Sequence, residues 1–501
     1  MSLINISNLT FCYDGSYDDI FTGVSFQIDT DWKLGFCGRN GRGKTTFLKL
    51  LLGQYEYKGE ISASVDFEYF PYDIPDTGAN TLGVLSSAAP GAQAWQIQRE
   101  LSLLSVGEDA LSRPFATLSS GERTKALLAA LFLRENNFLL IDEPTNHLDM
   151  AAREAVAAYL RGKNGFIVVS HDRAFLDGCV DHILSINKTD IEIQSGNFSS
   201  WYHNKQMRDG FEKAENEKLK KEIGRLEAAA RQSTAWADKV ESAKMGKGAA
   251  KLRKKGHIGI DTMAYYGEKS KRMQQRRKNL ERRQQSAMEE KSSLLKNIET
   301  AAPIKLRPEA YHAPRLLYLE DVSVSYGDRG VFRGLSFSLE RGERLALMGG
   351  NGSGKSSVIK LILGEDVPHA GNVTLGGRLS ISYIPQDASF LAGDLGSFIN
   401  ERHIDETLFK SLLRKLDFSR VQFEKDMRDY SAGQKKKVLI AASLCLSANV
   451  YIWDEPLNYV DILSRMQIEE LILAYRPTLL FVEHDRAFCD NIATKKVYLA
   501  N

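Results

Sequence analysis

The sequence is poor in the residues that build metal centres and disulfide frameworks. Its 501 residues include only five cysteines, Cys12, Cys37, Cys179, Cys445 and Cys489, and no two of them form a C-x-x-C pair. This spacing argues against zinc ribbons, iron–sulfur clusters and a disulfide scaffold. It fits a protein of a reducing compartment.

Long apolar runs are also missing. No stretch reaches the roughly 18 consecutive apolar residues that a membrane-spanning helix needs. The first residues, MSLINISNLTF, lack the basic and apolar regions of a signal peptide and favour a strand instead. We therefore expect a cytoplasmic protein that works without a membrane partner.

The small net charge of +2 hides an uneven distribution. Residues 205–300 hold 25 Lys and Arg against 14 Asp and Glu, a net of +11, so the rest of the chain carries a net of −9. The whole excess lies in 239–283, where 15 basic residues face 4 acidic ones. Aromatic and flexible apolar residues are interleaved with these cations, a composition typical of an RNA-binding element. The alternative is a solvated face of a structural spacer.

The most informative motif is a glycine-rich turn, GRNGRGKT at 38–45, that fits the pattern G-x-x-x-x-G-K-[ST]. Glycines allow the backbone to wrap closely around an anion, and the helix that follows adds the positive end of its dipole. Lys44 is expected to reach the β- and γ-phosphates, and Thr45 to offer its hydroxyl to Mg²⁺. The motif predicts a site for a nucleoside triphosphate.

This motif and three others occur twice in the same order. GGNGSGKS at 349–356 repeats the turn 311 residues later. LSSGE at 118–122 matches YSAGQ at 430–434, FLLIDEPTNHLD at 138–149 matches VYIWDEPLNYVD at 450–461, and FIVVSHD at 166–172 matches LLFVEHD at 479–485. Four matches at nearly one spacing predict two copies of a nucleotide-binding domain.

Within each copy, apolar strand-like runs alternate with helical patterns, which predicts an α/β fold with a mainly parallel sheet. The runs that end in Asp142 and Asp454 read as buried strands, so both acids are expected at strand ends, where ligands bind in such sheets.

The segment between the copies has apolar residues at helical spacing on either side of a glycine-rich stretch. This pattern predicts a long antiparallel helical hairpin. We expect a first nucleotide-binding domain over 1–204, the hairpin linker over 205–305 with its loop tip at about 245–267, and a second domain over 306–501.

The repeated motifs resemble those of ATP-binding cassette proteins, which are P-loop nucleoside triphosphatases, and the resemblance covers both domains. It implies an ATPase with two composite sites, in which the signature loop of each cassette completes the site of the other. In the first site, the resemblance assigns ATP binding to Gly38, Asn40, Gly41, Gly43, Lys44, Thr45 and Thr46, facing Ser431, Ala432, Gly433 and Gln434. In the second, it assigns ATP binding to Gly349, Asn351, Gly352, Gly354, Lys355, Ser356 and Ser357, facing Ser119, Ser120, Gly121 and Glu122.

Charge and position indicate the chemical roles at these sites. Glu143 and Glu455 are expected to polarise the attacking water, while His171 and His484 sense the γ-phosphate. The expected Mg²⁺ ligands are Thr45, Asp142, Ser356, Gln386 and Asp454. Tyr72 stands where Gln386 is expected in the first cassette, a departure that places the metal shell and hydrolysis rate of that site in question. Tyr13 and Tyr326 are expected to stack on adenine, unless they are ordinary strand aromatics.

Tandem cassettes with a charged linker and no membrane segment resemble the ABC-F family, which acts on ribosomes. The stretches DTDWKLGF and YYGEKSKRMQQRRK look like those of the Lsa, Vga and Vml group of antibiotic-resistance factors, Lsa most of all. That resemblance implies a monomer whose cassettes pair within one chain. The resemblance further implies that the protein binds the tRNA exit site with ATP bound and contacts large-subunit rRNA and the neighbouring tRNA, but not DNA. Protection would extend to lincosamides, pleuromutilins and streptogramin A compounds, with ATP hydrolysis permitting release.

The resemblance places the linker tip near the peptidyl-transferase centre. Tyr265 is the first candidate for an effector side chain, because it lies just before Gly267, where the return helix should begin. The residues expected to contact rRNA or the drug-site region are Lys244, Lys251, Arg253, Lys254, Lys255, His257, Met263, Tyr265 and Tyr266.

Other readings of the sequence remain open. A housekeeping translation factor of the same family would act on stalled or idle ribosomes. The ATPase subunit of a transporter would need a membrane partner, and a long basic hairpin is unusual in that class. A DNA-repair or chromosome-structure ATPase and a scaffold without catalysis are further alternatives, although two intact Lys–Asp–Glu sets weigh against the scaffold.

Overall fold

The computed structural model describes residues 2–13, 19–74, 76–146, 148–187, 191–245, 309, 311–327 and 329–499, together with isolated positions between 268 and 286. The chain divides into two compact units. One comprises Met1–Trp201 and Ala301–Asn501, and the other is Tyr202–Thr300.

The first cassette is built on a six-stranded sheet in the order β5-β6-β7-β3-β8-β9 and a three-stranded antiparallel sheet in the order β2-β1-β4. Its strands are β1 (Leu3–Phe11), β2 (Phe21–Asp29), β3 (Lys33–Gly38), β4 (Lys58–Ser62), β5 (Asp66–Phe70), β6 (Asn137–Asp142), β7 (Phe166–Val169), β8 (His182–Ile186) and β9 (Ile191–Ser195). Its helices are α1 (Lys44–Leu51), α2 (Thr81–Ala88), α3 (Ala94–Leu103), α4 (Asp109–Ser112), α5 (Ser120–Leu131), α6 (Met150–Arg161) and α7 (Arg173–Cys179), with a short 3₁₀ helix at Phe115–Thr117.

The second cassette repeats this plan with a five-stranded sheet in the order β14-β15-β16-β12-β17 and an antiparallel sheet in the order β11-β10-β13. Its strands are β10 (Arg315–Tyr326), β11 (Arg329–Glu340), β12 (Arg344–Met348), β13 (His369–Leu375), β14 (Ile381–Ile384), β15 (Val450–Asp454), β16 (Leu479–Val482) and β17 (Lys495–Tyr498). Its helices are α9 (Lys355–Leu363), α10 (Leu395–Glu401), α11 (Glu406–Lys415), α12 (Ala432–Cys445), α13 (Ile462–Tyr475) and α14 (Arg486–Ile492), with 3₁₀ helices at Arg420–Glu424 and Met427–Asp429.

Burial explains why the central strands read as continuous apolar runs. The strand β7 is buried along its whole length, as are β15 and β16, because these sheets are covered on both faces. In the first cassette β3, β6 and β7 are parallel neighbours, and in the second β12, β15 and β16 are. The phosphate loop, the Asp–Glu pair and the histidine loop therefore leave the sheet at one edge in each cassette. The predicted α/β fold with two tandem cassettes is confirmed.

The second unit begins within a long helix, α8 (Phe198–Met245), which includes the predicted first arm of the linker. Leu219 and Ile223, one turn apart, form a small buried cluster. The predicted return arm and loop tip lie almost entirely outside the described residues. Within the described part of the chain, no helix has both the length and the apolar character that crossing a bilayer requires.

Candidate functional site

Each phosphate loop is held in its cradle shape by a glycine with positive φ that precedes the helix. Gly43 has φ 90° and Gly354 has φ 94°. A Cβ at Gly43 would lie 2.5 Å from Ile20 Cγ2, and one at Gly354 would lie 2.6 Å from Val331 Cγ1, so both the conformation and the space require glycine.

The side chains of Lys44 and Lys355 fold back onto their own phosphate loops. Nζ of Lys44 donates to the carbonyl oxygens of Gly38 at 2.8 Å and Arg39 at 3.1 Å. Nζ of Lys355 donates to Gly349 O at 2.9 Å and Gly350 O at 2.8 Å. Burial lowers the pKa of both ammonium groups. These cations are therefore poorly solvated where they stand, and an anion in the cradle would compensate them.

In each cassette, the hydroxyl and the aspartate predicted to hold Mg²⁺ are hydrogen bonded to each other. Thr45 Oγ1 donates to Asp142 Oδ2 at 2.9 Å, and the hydroxyl of Tyr69 donates to the same oxygen at 3.0 Å. In the second cassette Ser356 bonds to Asp454, whose pKa burial raises. Asp454 Oδ1 is buried and has no hydrogen-bond partner among the described residues.

A hydroxyl, one carboxylate and substrate phosphates form the usual donor set for Mg²⁺, so the residues present fit that ion. No cluster of three or more His, Cys, Asp or Glu side chains suited to a metal occurs in the described part of the chain. A dedicated metal cage is thus absent there, and a divalent cation would arrive with the nucleotide.

Glu143 and Glu455 come directly after strands β6 and β15, and the backbone of each is strained. Glu143 has φ 51° and Glu455 has φ 46°, values that are uncommon outside glycine and cluster at functional sites. The backbone N–H of Glu143 donates to Val169 O at 2.9 Å, and that of Glu455 donates to Val482 O at 3.1 Å. The neighbouring strand therefore fixes the turn that directs each carboxylate toward the site.

Glu455 sits in a full set of hydrogen-bond donors. Gln386 Nε2 donates to Glu455 Oε2 at 2.9 Å, and Asn458 Nδ2 donates to the same oxygen at 2.7 Å. Nε2 of His484 lies 3.3 Å from the other carboxylate oxygen. Burial alone would raise the pKa of Glu455, but these contacts outweigh it and lower the pKa to about 2.

Glu143 lacks this support. Nε2 of His171 lies 3.1 Å from Glu143 Oε1, yet that oxygen accepts no aligned hydrogen bond within the described part of the chain. Burial and the adjacent Asp142 raise the pKa of Glu143 to about 8. Burial also lowers the pKa of His171 well below its usual value. Tyr72, in place of a glutamine, has a buried hydroxyl with no hydrogen-bond partner among the residues that the structure describes.

The two signature loops begin helices through capping boxes. Ser119 Oγ accepts from Glu122 N at 3.2 Å, while Glu122 Oε2 accepts from Ser119 N at 2.8 Å. Ser431 and Gln434 repeat the arrangement at 3.3 Å and 2.9 Å. Glu122 and Gln434, predicted to contact ATP, thus shape the loops through backbone contacts.

The second signature loop meets the first phosphate loop. Asn40 Nδ2 donates to the carbonyl of Tyr459 at 2.8 Å, so the first cassette bonds directly to the second. A Cβ at Gly433 would lie 2.3 Å from Tyr459 O and 3.0 Å from Asn40 Nδ2. Only glycine fits this approach. Ser431 and Ala432, beside it in the sequence, are exposed.

The reciprocal pair of loops borders a cleft of about 850 Å³. Ser120 of the first cassette lines this cleft opposite the phosphate loop of the second, and so do Gln386, Glu455 and His484. Its phosphate-loop lining comprises Asn351, Gly352, Gly354, Lys355, Ser356 and Ser357. The predicted groups Ser356, Gln386, Glu455 and His484 therefore share one cavity with much of the phosphate loop, whereas Asp454 does not line it.

A charged contact distinguishes the first interface. Arg39 Nη1 donates to Ser464 Oγ at 3.2 Å, and Arg39 Nε lies 3.8 Å from Asp417 Oδ2. Arg42 approaches the other oxygen of Asp417 at 3.7 Å. At the matching positions of the second interface the chain has Gly350 and Ser353 in place of the arginines and Ser105 in place of the aspartate. Sequence reasoning missed this contact, although the mismatch of the repeats at Arg39 was visible.

The two predicted adenine-stacking tyrosines lie beside the phosphate-loop helices. The Tyr13 hydroxyl bonds to Thr46 Oγ1 at 2.7 Å, and the Tyr326 hydroxyl bonds to Ser357 Oγ at 3.1 Å. Both rings are partly exposed, 41% and 47% respectively, so a face of each is accessible.

The predicted tip residues fall at the end of the described linker or beyond it. Lys244 lies within the helix α8, one residue before its end. The others, Lys251, Arg253, Lys254, Lys255, His257, Met263, Tyr265 and Tyr266, lie outside the described residues.

These repeated phosphate loops, acid pairs and facing signature loops define a tandem ATP-binding cassette protein. A family model described as "ABC transporter" matches residues 21–146 and 332–458, one stretch in each cassette. The chain therefore belongs to the ABC transporter family, and it is an ATPase.

Curated relatives narrow the family further. The ribosome protection protein VmlR of Bacillus subtilis strain 168 is 28% identical over 510 residues, which cover 100% of this chain and 87% of the relative. The putative ATP-binding protein YdiF of the same organism is 26% identical over 563 residues, covering 100% and 80%. The probable ATP-binding protein YheS of Escherichia coli K12 is 27% identical over 513 residues, covering 93% and 74%. These matches fit the ABC-F branch.

Solved structures share the fold. The archaeal ribosome recycling factor aABCE1, solved with the stalk protein aP1, superimposes with a TM-score of 0.62 at 18% identity, covering 98% of this chain and 87% of that one. A structure described as RNase-L Inhibitor gives a TM-score of 0.62 at 19% identity with the same coverage. At this identity the likeness establishes the tandem-cassette architecture.

Proposed function

We propose that this chain is an ATP-dependent ribosome protection factor of the cytoplasm. ATP closes the cassettes, the closed form binds the exit-site region of the ribosome, and hydrolysis permits release. The full-length similarity to VmlR, whose name states ribosome protection, is the observation that carries this proposal. The net charge of +11 over 205–300 supports it, because cations in a linker of this kind would meet rRNA phosphates.

Different cassette residues bind ATP and catalyse its hydrolysis in this proposal. Lys44 and Lys355 neutralise the phosphates, and the signature loops clamp them from the opposite cassette. Glu455 orients the attacking water and accepts its proton, with His484 at the same carboxylate. Mg²⁺, when bound with ATP, neutralises charge on the phosphates. Thr45 and Asp142 would hold it in the first site, and Ser356, Asp454 and Gln386 in the second.

The linker tip carries the effect on drugs in this proposal. Tyr265 and its neighbours reach toward the peptidyl-transferase centre and displace lincosamide, pleuromutilin and streptogramin A compounds. The proposed domain limits are 1–204, 205–305 and 306–501. The proposed drug classes come from the resemblance to the Lsa, Vga and Vml group.

Trapping the ATP-bound state tests the ribosome cycle. Changing Glu143 and Glu455 together to Gln preserves the size of each side chain and removes the proton acceptor, so ATP should still bind while hydrolysis stops. The doubly substituted protein should co-sediment with ribosomes in ATP far more than the wild type. Equal co-sedimentation of the two proteins would contradict the proposed cycle.

Substitution at the tip separates drug protection from ribosome binding. Tyr265→Ala should lower the minimum inhibitory concentration of at least one of the three drug classes while ribosome pull-down and ATPase rate persist.

Replacing Lys251, Arg253, Lys254 and Lys255 by Gln should flatten the salt dependence of ribosome binding, because fewer counterions are released.

A housekeeping ABC-F translation factor is the second candidate, favoured by the similarity to YdiF and YheS. Such a factor would bind ribosomes and hydrolyse ATP without altering drug susceptibility. Expression of the intact chain in a drug-sensitive strain distinguishes the two. Unchanged susceptibility to all three classes, with ribosome binding intact, would favour the housekeeping function.

A further inference from the structure

A buried lysine of the second cassette, Lys436, links two backbone segments beside Glu455. Lys436 lies on α12, three residues after Gly433 of the signature, and only 3% of it is exposed. Its Nζ donates to the carbonyl oxygen of Pro385 at 3.0 Å and to that of Glu455 at 3.0 Å. One ammonium group therefore joins the signature helix, the loop of Gln386 and the turn of Glu455.

The two carbonyls that Lys436 binds belong to the residues that matter for hydrolysis. Pro385 directly precedes Gln386, whose amide donates to the Glu455 carboxylate at 2.9 Å. Glu455 itself has the strained φ of 46°. Because one cation binds the backbone beside Gln386 and the backbone of Glu455, it fixes the distance that the hydrogen bond between the Gln386 amide and the Glu455 carboxylate requires. The carboxylates of Asp454, Glu455, Glu483 and Asp387 all act on the ammonium and favour its charged form, although burial opposes them more strongly.

The first cassette has no cation at the matching position. At the offset of 312 residues that relates the signature helices, Thr124 occupies the position of Lys436. In the matching stretches YFPYD and YIPQD, which lie 314 residues apart, Tyr72 occupies the position of Gln386. The side chain of threonine is too short to span two loops. The lysine and the glutamine therefore occur together in the second cassette, and neither occurs in the first.

We propose that Lys436 is a positioning residue for ATP hydrolysis at the second site, holding Gln386 and Glu455 in register through their backbones. The inference rests on the proposed role of Glu455. A buried charged hydrogen bond to two carbonyls is strong enough to select one arrangement of both loops. Lys436 contacts neither the water nor the nucleotide, so its loss should slow the chemical step rather than weaken binding.

The test is a set of substitutions in the full-length protein, assayed for steady-state ATPase. Lys436→Met keeps the length of the side chain and removes its donors, and it should lower kcat by about tenfold while KM stays within about twofold. Lys436→Arg keeps the cation and should restore part of the rate. Lys435→Met, the same change one residue earlier at a half-buried position, should leave kcat unchanged. Thermal unfolding monitors the fold of each variant, and Lys436→Thr, which introduces the residue of the first cassette, replaces Lys436→Met if the latter fails to fold.

A double-mutant cycle separates positioning from general destabilisation. In a Glu455→Gln background, Lys436→Met should cause no further loss of kcat, because its effect passes through Glu455. A raised KM with unchanged kcat, or an equal additional loss in that background, would overturn the proposal. If Glu455→Gln alone leaves kcat unchanged, the proposed role of Glu455 fails first, and the two failures are thereby distinguished.

Discussion

The two nucleotide sites of this chain share a motif set but differ in how each is held. In the second, the Glu455 carboxylate receives amide hydrogen bonds from Gln386 and Asn458. In the first, Glu143 has a raised pKa of about 8 and no aligned donor at Oε1 among the described residues. Hydrogen bonds therefore fix the orientation of the second carboxylate more fully than that of the first.

The phosphate loops differ in a residue that faces the other cassette. Arg39 of the first loop bonds to Ser464 of the second cassette, and the second loop has Gly350 at the matching position. At the second site the cassettes meet through Arg153, which donates to the carbonyl oxygen of His484 at 3.2 Å. The comparison teaches that two copies of one duplicated site can be joined by different contacts. Four substitution experiments test these differences.

The largest effect is expected from Gly433→Ala. Its Cβ would lie 2.3 Å from the carbonyl oxygen of Tyr459 in the same cassette and 3.0 Å from Asn40 Nδ2 of the first cassette, so the contact of Tyr459 with Asn40 would have to shift at a cost of about 2 kcal/mol. ATP affinity, measured in a Lys355→Ala background that disables the second site, should fall roughly 30-fold. Unchanged ATP affinity at the first site would contradict the importance of this close approach.

A smaller loss is expected from Arg39→Ala. It removes a buried donor to Ser464 and a charge facing Asp417, which together should cost about 1 kcal/mol of cassette closure. ATP affinity at the first site should fall about fivefold. Arg42→Ala removes a partly exposed cation near the same aspartate and should have little effect. If Arg42→Ala is the more damaging change, the buried contact is not what holds this interface.

The smallest effect is a gain, expected from Tyr72→Gln. The new amide would supply to Glu143 the hydrogen bond that Gln386 gives Glu455, and turnover by the first site should rise about two- to threefold, under 1 kcal/mol. The assay uses a Glu455→Gln background, so that only the first site contributes. Tyr72→Phe removes the unpartnered hydroxyl without adding a donor and should leave turnover unchanged.

The sequence predicted the fold well because its signals are local and repeated. The phosphate loops and the buried strands ending in Asp142 and Asp454 follow from short motifs read with a nearly constant offset, whereas the facing of the signature loops was implied by the resemblance to ATP-binding cassette proteins. Tyr72 was recognised as a departure for the same reason.

Contacts that depend on three-dimensional approach could not be predicted in this way. Asn458 reaches Glu455 only because the strained turn folds back, and Arg39 meets Ser464 across more than 400 positions of sequence. Lys436 was one lysine in a run of three, and nothing in the run indicated that Lys436 and Lys437 would be buried and Lys435 only half-buried. The differences between the copies, Arg39 against Gly350 and Lys436 against Thr124, were visible, but their meaning required the structure.

The most direct test of unequal sites compares Glu143→Gln with Glu455→Gln in steady-state ATPase at saturating ATP. Each change removes one proton acceptor and leaves the other site intact. The account predicts that Glu455→Gln lowers turnover by at least about tenfold, whereas Glu143→Gln retains more than about half of the wild-type rate. Equal losses from the two substitutions, or a larger loss from Glu143→Gln, would contradict the account.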